Sequence, residues 1–213
     1  MTFPLQDLMA ILPELIVIGT ACLILALEPI LAADKKDILA WLTLGALAMC
    51  MGLTSSQMTG RVFVFSDLVV IDAFAAFWKL LLYIVTGLTV LLSLAYLKAE
   101  RLNIGEYYGF ILLTLAGMMV MVSGADLLTI YLGTELMSLS LYVMAGLKRT
   151  EARSLEASAK YFVLGAFSSG VLLYGISLLF GLAGSTRLSA IAEAITTQGT
   201  ANPLLSLALV LLA

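Results

Sequence analysis

The stretch TIYLGTELMSLSLYVMAG, Thr129 to Gly146, decides how this chain must be read. It is apolar almost throughout and holds one carboxylate, Glu135. An apolar run of this length is a candidate membrane-spanning helix, since about 20 residues cross the hydrocarbon core. Extending it to Leu127 and Leu147 puts Glu135 roughly 12 Å from one end, close to the middle of the bilayer. A charge there costs ~2.5–3.5 kcal/mol on insertion scales. The acid must therefore be protonated, paired, or turned toward a hydrated interior. Buried ionisable groups in spans usually mark ion or proton paths. Thr134, Ser138 and Ser140 flank it, and Ser138 lies three residues on, on the same helical face.

The rest of the sequence has the same character. Hydrophobic residues make up 62% of it and charged residues 12%, against roughly 45–50% and about 25% for a soluble domain. Mean hydropathy is +1.10. The chain reads as an all-α, polytopic transmembrane helix bundle. Six runs are long enough to span: Leu8 to Leu27, Ile38 to Met58, Leu68 to Leu97, Tyr107 to Ser123, Leu127 to Leu147 and Leu155 to Ala183. A seventh starts near Pro203 and is too short at Ala213, so the chain reads as truncated. Segments such as LLLYIVTGLTVLLSLAYL do not alternate, which excludes barrel strands. The N-terminus MTFPLQDLMA has no basic residue, so the first run reads as a retained helix and not a cleaved signal.

Several functions drop out. No basic run supports nucleic-acid binding. With no histidine and only Cys22 and Cys50, there is no ligand set for haem, a histidine metal site or an iron–sulfur cluster. No Gly-rich phosphate loop is present.

The connections carry a charge bias. Lys35, Lys36, Lys98, Arg101, Lys148, Arg149 and Arg153 lie on odd-numbered loops, and Arg61 and Arg187 on even ones. The positive-inside rule places the odd loops in the cytoplasm and the N-terminus outside. Trp41, Tyr96, Tyr107 and Tyr108 fall near helix ends, as interfacial aromatics do.

Three other charges lie inside or near the runs. Lys160, in LEASAKYFVLGAFSSG, follows Glu156 by four residues, the favourable order for a helical pair. Gly165, Ser168, Ser169 and Gly170 follow it, and small or hydroxylated residues admit a partner helix, so Lys160 is expected to face protein. Lys79 has Asp72 seven residues earlier on the same face, and a snorkelling lysine paired with Asp72 is the plain reading. Lys79 and Asp72 are kept as secondary candidates. Glu14, after Pro13 near the end of the first run, is expected to be hydrated and without a role.

The blocks GTELMSLSLY, RSLEASAKYF and SSGVLLYGISLLFGLAG, in their order and spacing between Glu106 and Gly184, resemble the antiporter-like membrane subunits of respiratory complex I. Residues 1–104 fit more loosely, as three leading helices. The resemblance implies that residues 105–213 begin the first of two inverted repeats, left incomplete here. It also implies proton translocation coupled to electron transfer from NADH to quinone. Glu135 matches the family's fifth-helix glutamate and Lys160 a sixth-helix lysine. Flavin mononucleotide, iron–sulfur clusters, NADH and quinone would be handled by partner subunits, with no cofactor in this chain and no catalytic residue. The resemblance further implies a multi-pass protein of the bacterial inner membrane. A multisubunit sodium/proton antiporter shares the ancestral repeat and is the alternative, and a purely structural membrane subunit is a third.

Overall fold

A computed structural model describes residues 5–31, 36–58, 60–99, 104–198 and 202–212. Among these residues the elements run α1 (Leu5–Ala10), α2 (Leu12–Leu27), α3 (Asp37–Ser56), a hairpin of β1 (Val62–Val64) and β2 (Val69–Ile71), α4 (Ala73–Ala99), α5 (Glu106–Ser123), α6 (Leu127–Ala145), α7 (Ala152–Ala183), α8 (Leu188–Gln198) and α9 (Pro203–Leu212).

Five of these helices, α3 to α7, are long and apolar enough to cross a membrane. Five of the six expected full spans are thus present among the described residues, and the first run forms a shorter apolar helix. The run from Leu8 to Leu27 breaks at Ile11, so that α2 keeps only 16 residues, about 24 Å. Pro13 explains the break. It sits in the first turn of α2, where a missing N–H costs nothing, and it could not donate within a continuous helix. The third run also starts later than expected. Its residues 69–71 pair with 62–64 as an antiparallel ladder, and the helix begins only at Ala73.

The helices alternate in direction, giving the bundle two ends. At one lie the charged connections. Lys36 pairs with Glu28 at 2.5 Å, Lys98 with Asp37, and Arg149 with Glu106 at 2.6 Å. These ties join α2 to α3, α4 to α3, and the α6–α7 connection to α5. Lys35 and Arg101, counted in the charge bias, lie outside the described residues.

At the other end stands the hairpin. Phe65, Ser66 and Asp67 all take left-handed backbone conformations in its turn, at φ of 55°, 57° and 67°. Non-glycine residues adopt this region at a cost, and Arg187 helps to offset it. Its guanidinium donates to the Ser66 carbonyl at 2.9 Å and pairs with Asp67 at 3.2 Å. Asp126 finishes the arrangement. Its buried carboxylate caps α6 by accepting from Leu128 N–H at 2.8 Å and from the Thr186 hydroxyl at 2.6 Å.

One core joins α2, α3, α4 and α5. Val17, Ala21 and Ile24 meet Leu39, Leu47, Tyr83, Val90, Leu112, Leu115 and Met119. Buried positions on α4 recur at 79, 83, 86, 90, 93 and 97, the alternating four- and three-residue spacing of a packed helix face. Tyr108, near the start of α5, belongs to this core and is 4% exposed. On its opposite side α5 carries α6 at close range. A Cβ on Gly117 would fall 2.6 Å from the Gly133 carbonyl oxygen, so only glycine admits this backbone approach. A second cluster joins α7, α8 and α9 through Leu179, Ile191, Leu205 and Ala208.

Candidate functional site

Glu135 occupies the middle of α6, eight residues after its start and ten before its end. The helix begins where it does because Asp126 caps it, and it ends at Gly146, whose N–H returns to the Val143 carbonyl at 3.0 Å. Glu135 is half-buried and turned toward α7, whose Ser169 hydroxyl donates to its Oε1. The Tyr131 hydroxyl shares that serine at 2.9 Å. Tyr131 stands one turn before Glu135 on the same face, so the three side chains form a short hydrogen-bonded chain between α6 and α7.

The neighbouring hydroxyls divide between this chain and the backbone. Thr134 donates to the Ile130 carbonyl at 3.0 Å, and Ser140 to that of Leu136 at 2.8 Å. Both satisfy their own helix and leave Glu135 to Ser169. In the sequence Ser169 stood out only among the small and hydroxylated residues of the sixth run that admit a partner helix, and the structure makes it the donor to Glu135. Tyr131 was missed. Its only signal was its place four residues before Glu135, which puts it on the same face.

Lys160 is not beside Glu135. It lies nine residues before Ser169 on α7, about 13 Å of helical rise, and pairs with Glu156, with side-chain exposures of 70% and 62%. Lys160 thus faces outward from the described bundle, against the expectation that it faces protein. The pair with Glu156 follows directly from the i,i+4 spacing.

The secondary candidates separate entirely. Lys79 does not pair with Asp72. Asp72 accepts from Ala75 N–H at 2.8 Å as the cap of α4 and sits 3.9 Å from Arg61. Lys79 instead crosses to α2 and pairs with Glu14 at 2.5 Å, both deeply buried at 1% and 7% side-chain exposure. Glu14 is therefore not the hydrated end-of-helix carboxylate that its position after Pro13 indicated. The α2 face that carries Val17, Ala21 and Ile24 into the core carries Glu14 with it.

Known proteins resemble this chain in sequence and in fold. Residues 124–213 match the family described as NADH:quinone oxidoreductase/Mrp antiporter, TM. The chain is 43% identical over 203 residues to NADH-quinone oxidoreductase subunit N of Trichlorobacter lovleyi, covering 94% of this chain and 41% of that protein. In structure it matches a chain of respiratory complex I from Thermus thermophilus with a TM-score of 0.72 at 25% identity, covering 94% of this chain and 42% of that one. The fold also matches a chain of the membrane-bound sulfane sulfur reductase, an archaeal respiratory membrane complex, with a TM-score of 0.79 at 21% identity over 95% of this chain and 43% of that one. The chain spans about two-fifths of the length of the curated relatives it matches.

Proposed function

We propose that this multi-pass membrane chain, an antiporter-like sequence similar along nearly its whole length to about two-fifths of subunit N proteins, works in the proton-translocating membrane arm of an NADH:quinone oxidoreductase. On this reading residues 1–104 are the leading three-helix part, and 105–213 open the first antiporter-like repeat. The observation that carries the reading is Glu135 itself. It is a carboxylate at mid-depth in an apolar helix, linked to Ser169 and Tyr131 where a packing role would need only a Leu or Met.

Glu135 is the proton-carrying group of this proposal. A carboxylate in a low-dielectric site favours its neutral form, and approach of a cation favours the charged form. A change in the positive potential along α7 then loads or releases a proton. Lys160 supplies that potential, restrained by Glu156 at rest and acting through water rather than by contact. If so, Lys160→Ala in the complete protein should lose more proton translocation than Glu156→Gln. Equal, small losses would reduce the pair to a local helix tie worth about 0.3–0.5 kcal/mol.

The redox chemistry lies elsewhere in the proposal. Flavin, iron–sulfur clusters, NADH and quinone belong to partner subunits, and the enzyme is the assembled complex. The membrane is the bacterial inner membrane, with the N-terminus and hairpin outside and the basic end in the cytoplasm, following the charge bias. Impermeant thiol reagents added to intact cells should label Arg61→Cys and spare Lys148→Cys. The opposite pattern would reverse the orientation.

A co-purification experiment tests the function. A tag on the full-length protein should bring down flavin- and iron–sulfur-containing subunits. Their absence, with other antiporter-type membrane subunits recovered instead, would favour a sodium/proton antiporter.

A further inference from the structure

Glu14 and Lys79 form a buried ion pair that the proposed path through Glu135 does not use. The pair lies toward the hairpin end, between α2 and α4. Glu14 Oε1 meets Lys79 Nζ at 2.5 Å. Glu14 Oε2 is buried with no hydrogen-bond partner. Around the pair stand other polar groups, also out of solvent. The Thr54 and Tyr83 hydroxyls meet at 3.1 Å across α3 and α4. The Cys50 thiol, one turn before Thr54, donates to the Pro13 carbonyl at 3.5 Å, beside Glu14. Tyr83 is one turn beyond Lys79 on the buried face of α4.

We infer that Glu14, Lys79 and the Thr54–Tyr83 hydroxyl pair form a water-holding, proton-exchanging site between α2, α3 and α4, open toward the hairpin end of the bundle.

A dry pair is the wrong device for packing here. Taking two charges out of water costs several kcal/mol per ion, which the contact repays only when the remaining lone pairs are satisfied. An unmet buried acceptor adds about 1–3 kcal/mol. A water on Glu14 Oε2 removes that cost, and a buried water needs two to four polar partners. Glu14 supplies one, and the unused Lys79 ammonium protons and the Tyr83 hydroxyl supply others. One turn further out, the Gln57 amide donates to the Ala10 carbonyl at 3.0 Å, and the Asp7 carboxylate accepts from Phe65 N–H at 3.3 Å. Polar groups thus continue from the pair toward the hairpin.

The path does not continue the other way. Between Thr86 and Ser93, about 10 Å of α4, the buried face offers Val90, and α3 offers Leu47. Thr43 and Ser93 donate to their own helices' carbonyls, at 2.9 and 2.7 Å. The site therefore exchanges protons only with the hairpin side, and it serves translocation as a proton store on that side and not as a through-path. Its titratable groups are Glu14 on α2, Cys50 on α3, and Lys79 and Tyr83 on α4, with Asp7 of α1 nearer the surface. From α5 the same core receives the apolar Leu112, Leu115 and Met119. In the exchange step a proton passes from Lys79 Nζ to Glu14 Oε1, breaking N–H and forming O–H. The neutral amine then takes a proton from the water, which is replenished from the hairpin side.

Two measurements on the full-length protein in its complex test this, and the second rests on the proton-translocation reading above. A water-resolving experimental map should show density within hydrogen-bond distance of Glu14 Oε2, and a dry carboxylate packed only by apolar atoms overturns the inference. The matched apolar double variant Glu14→Leu/Lys79→Met should assemble but translocate fewer protons per electron pair. A parent-like ratio overturns the exchange role, and so does failure to assemble, since it would make the pair a structural requirement. Glu135→Gln measured in parallel separates the two ideas. If it pumps like the parent, the proposed function fails, whereas a parent-like double variant alone removes only this site.

Discussion

Replacing Lys79 by Met alone is expected to destabilise the helix bundle by about 3–5 kcal/mol, because it leaves the Glu14 carboxylate buried without its partner. The structure makes this expectation sharp. Lys79 is 1% exposed and Glu14 5%, so neither charge can reach bulk water by a small side-chain movement. Glu14→Leu alone should cost a similar amount by stranding the ammonium. Combining the two changes should recover most of the loss, because replacement of a buried pair by packed apolar residues is often neutral or stabilising. Thermal unfolding of the purified, detergent-solubilised full-length protein checks this. Additive losses in the double variant would contradict the pairing of Glu14 with Lys79. Asp72→Asn is the control. It touches a capping carboxylate with 22% side-chain exposure, where losses of about 0.5–2 kcal/mol are usual for a removed cap.

The second large effect is on transport. Glu135→Gln keeps the shape of the side chain and can still accept from Ser169, but it cannot titrate. Assembly should therefore survive while proton translocation falls steeply. Glu135→Asp keeps a carboxyl group one methylene shorter and should retain more activity than Gln. Ser169→Ala offers an intermediate case, since it removes the donor to Glu135 Oε1 and frees the Tyr131 hydroxyl. A loss there without loss of assembly would show that the hydrogen-bonded chain, and not the carboxylate alone, shapes transport.

Much of the bundle was legible because membrane helices are written in one dimension. The runs around Glu135 and Lys160 became α6 and α7 with ends shifted by a few residues. The central depth of Glu135 followed from counting along one helix, and the Lys160–Glu156 pair from i,i+4 spacing. What failed was non-local. Glu14 looked exposed because its position after Pro13 suggested a helix end in water. Its burial depends on how α2 rolls against α4, and no feature within either run fixes that. Lys79 was matched to Asp72 for the same reason, since the reading along the chain saw only partners on its own run. The hairpin escaped because two three-residue strands merge into the apolar flank of the following helix. Its left-handed turn is held by Arg187, more than a hundred residues away.

The most direct test of the central claim is the number of protons translocated per electron pair in sealed vesicles. It should be measured for the parent complex and for Glu135→Gln, with complex content matched. The account predicts an assembled Glu135→Gln complex with a clearly lowered ratio. An assembled variant that translocates protons at the parent ratio would contradict it and leave Glu135 as a structural hydrogen-bonding group.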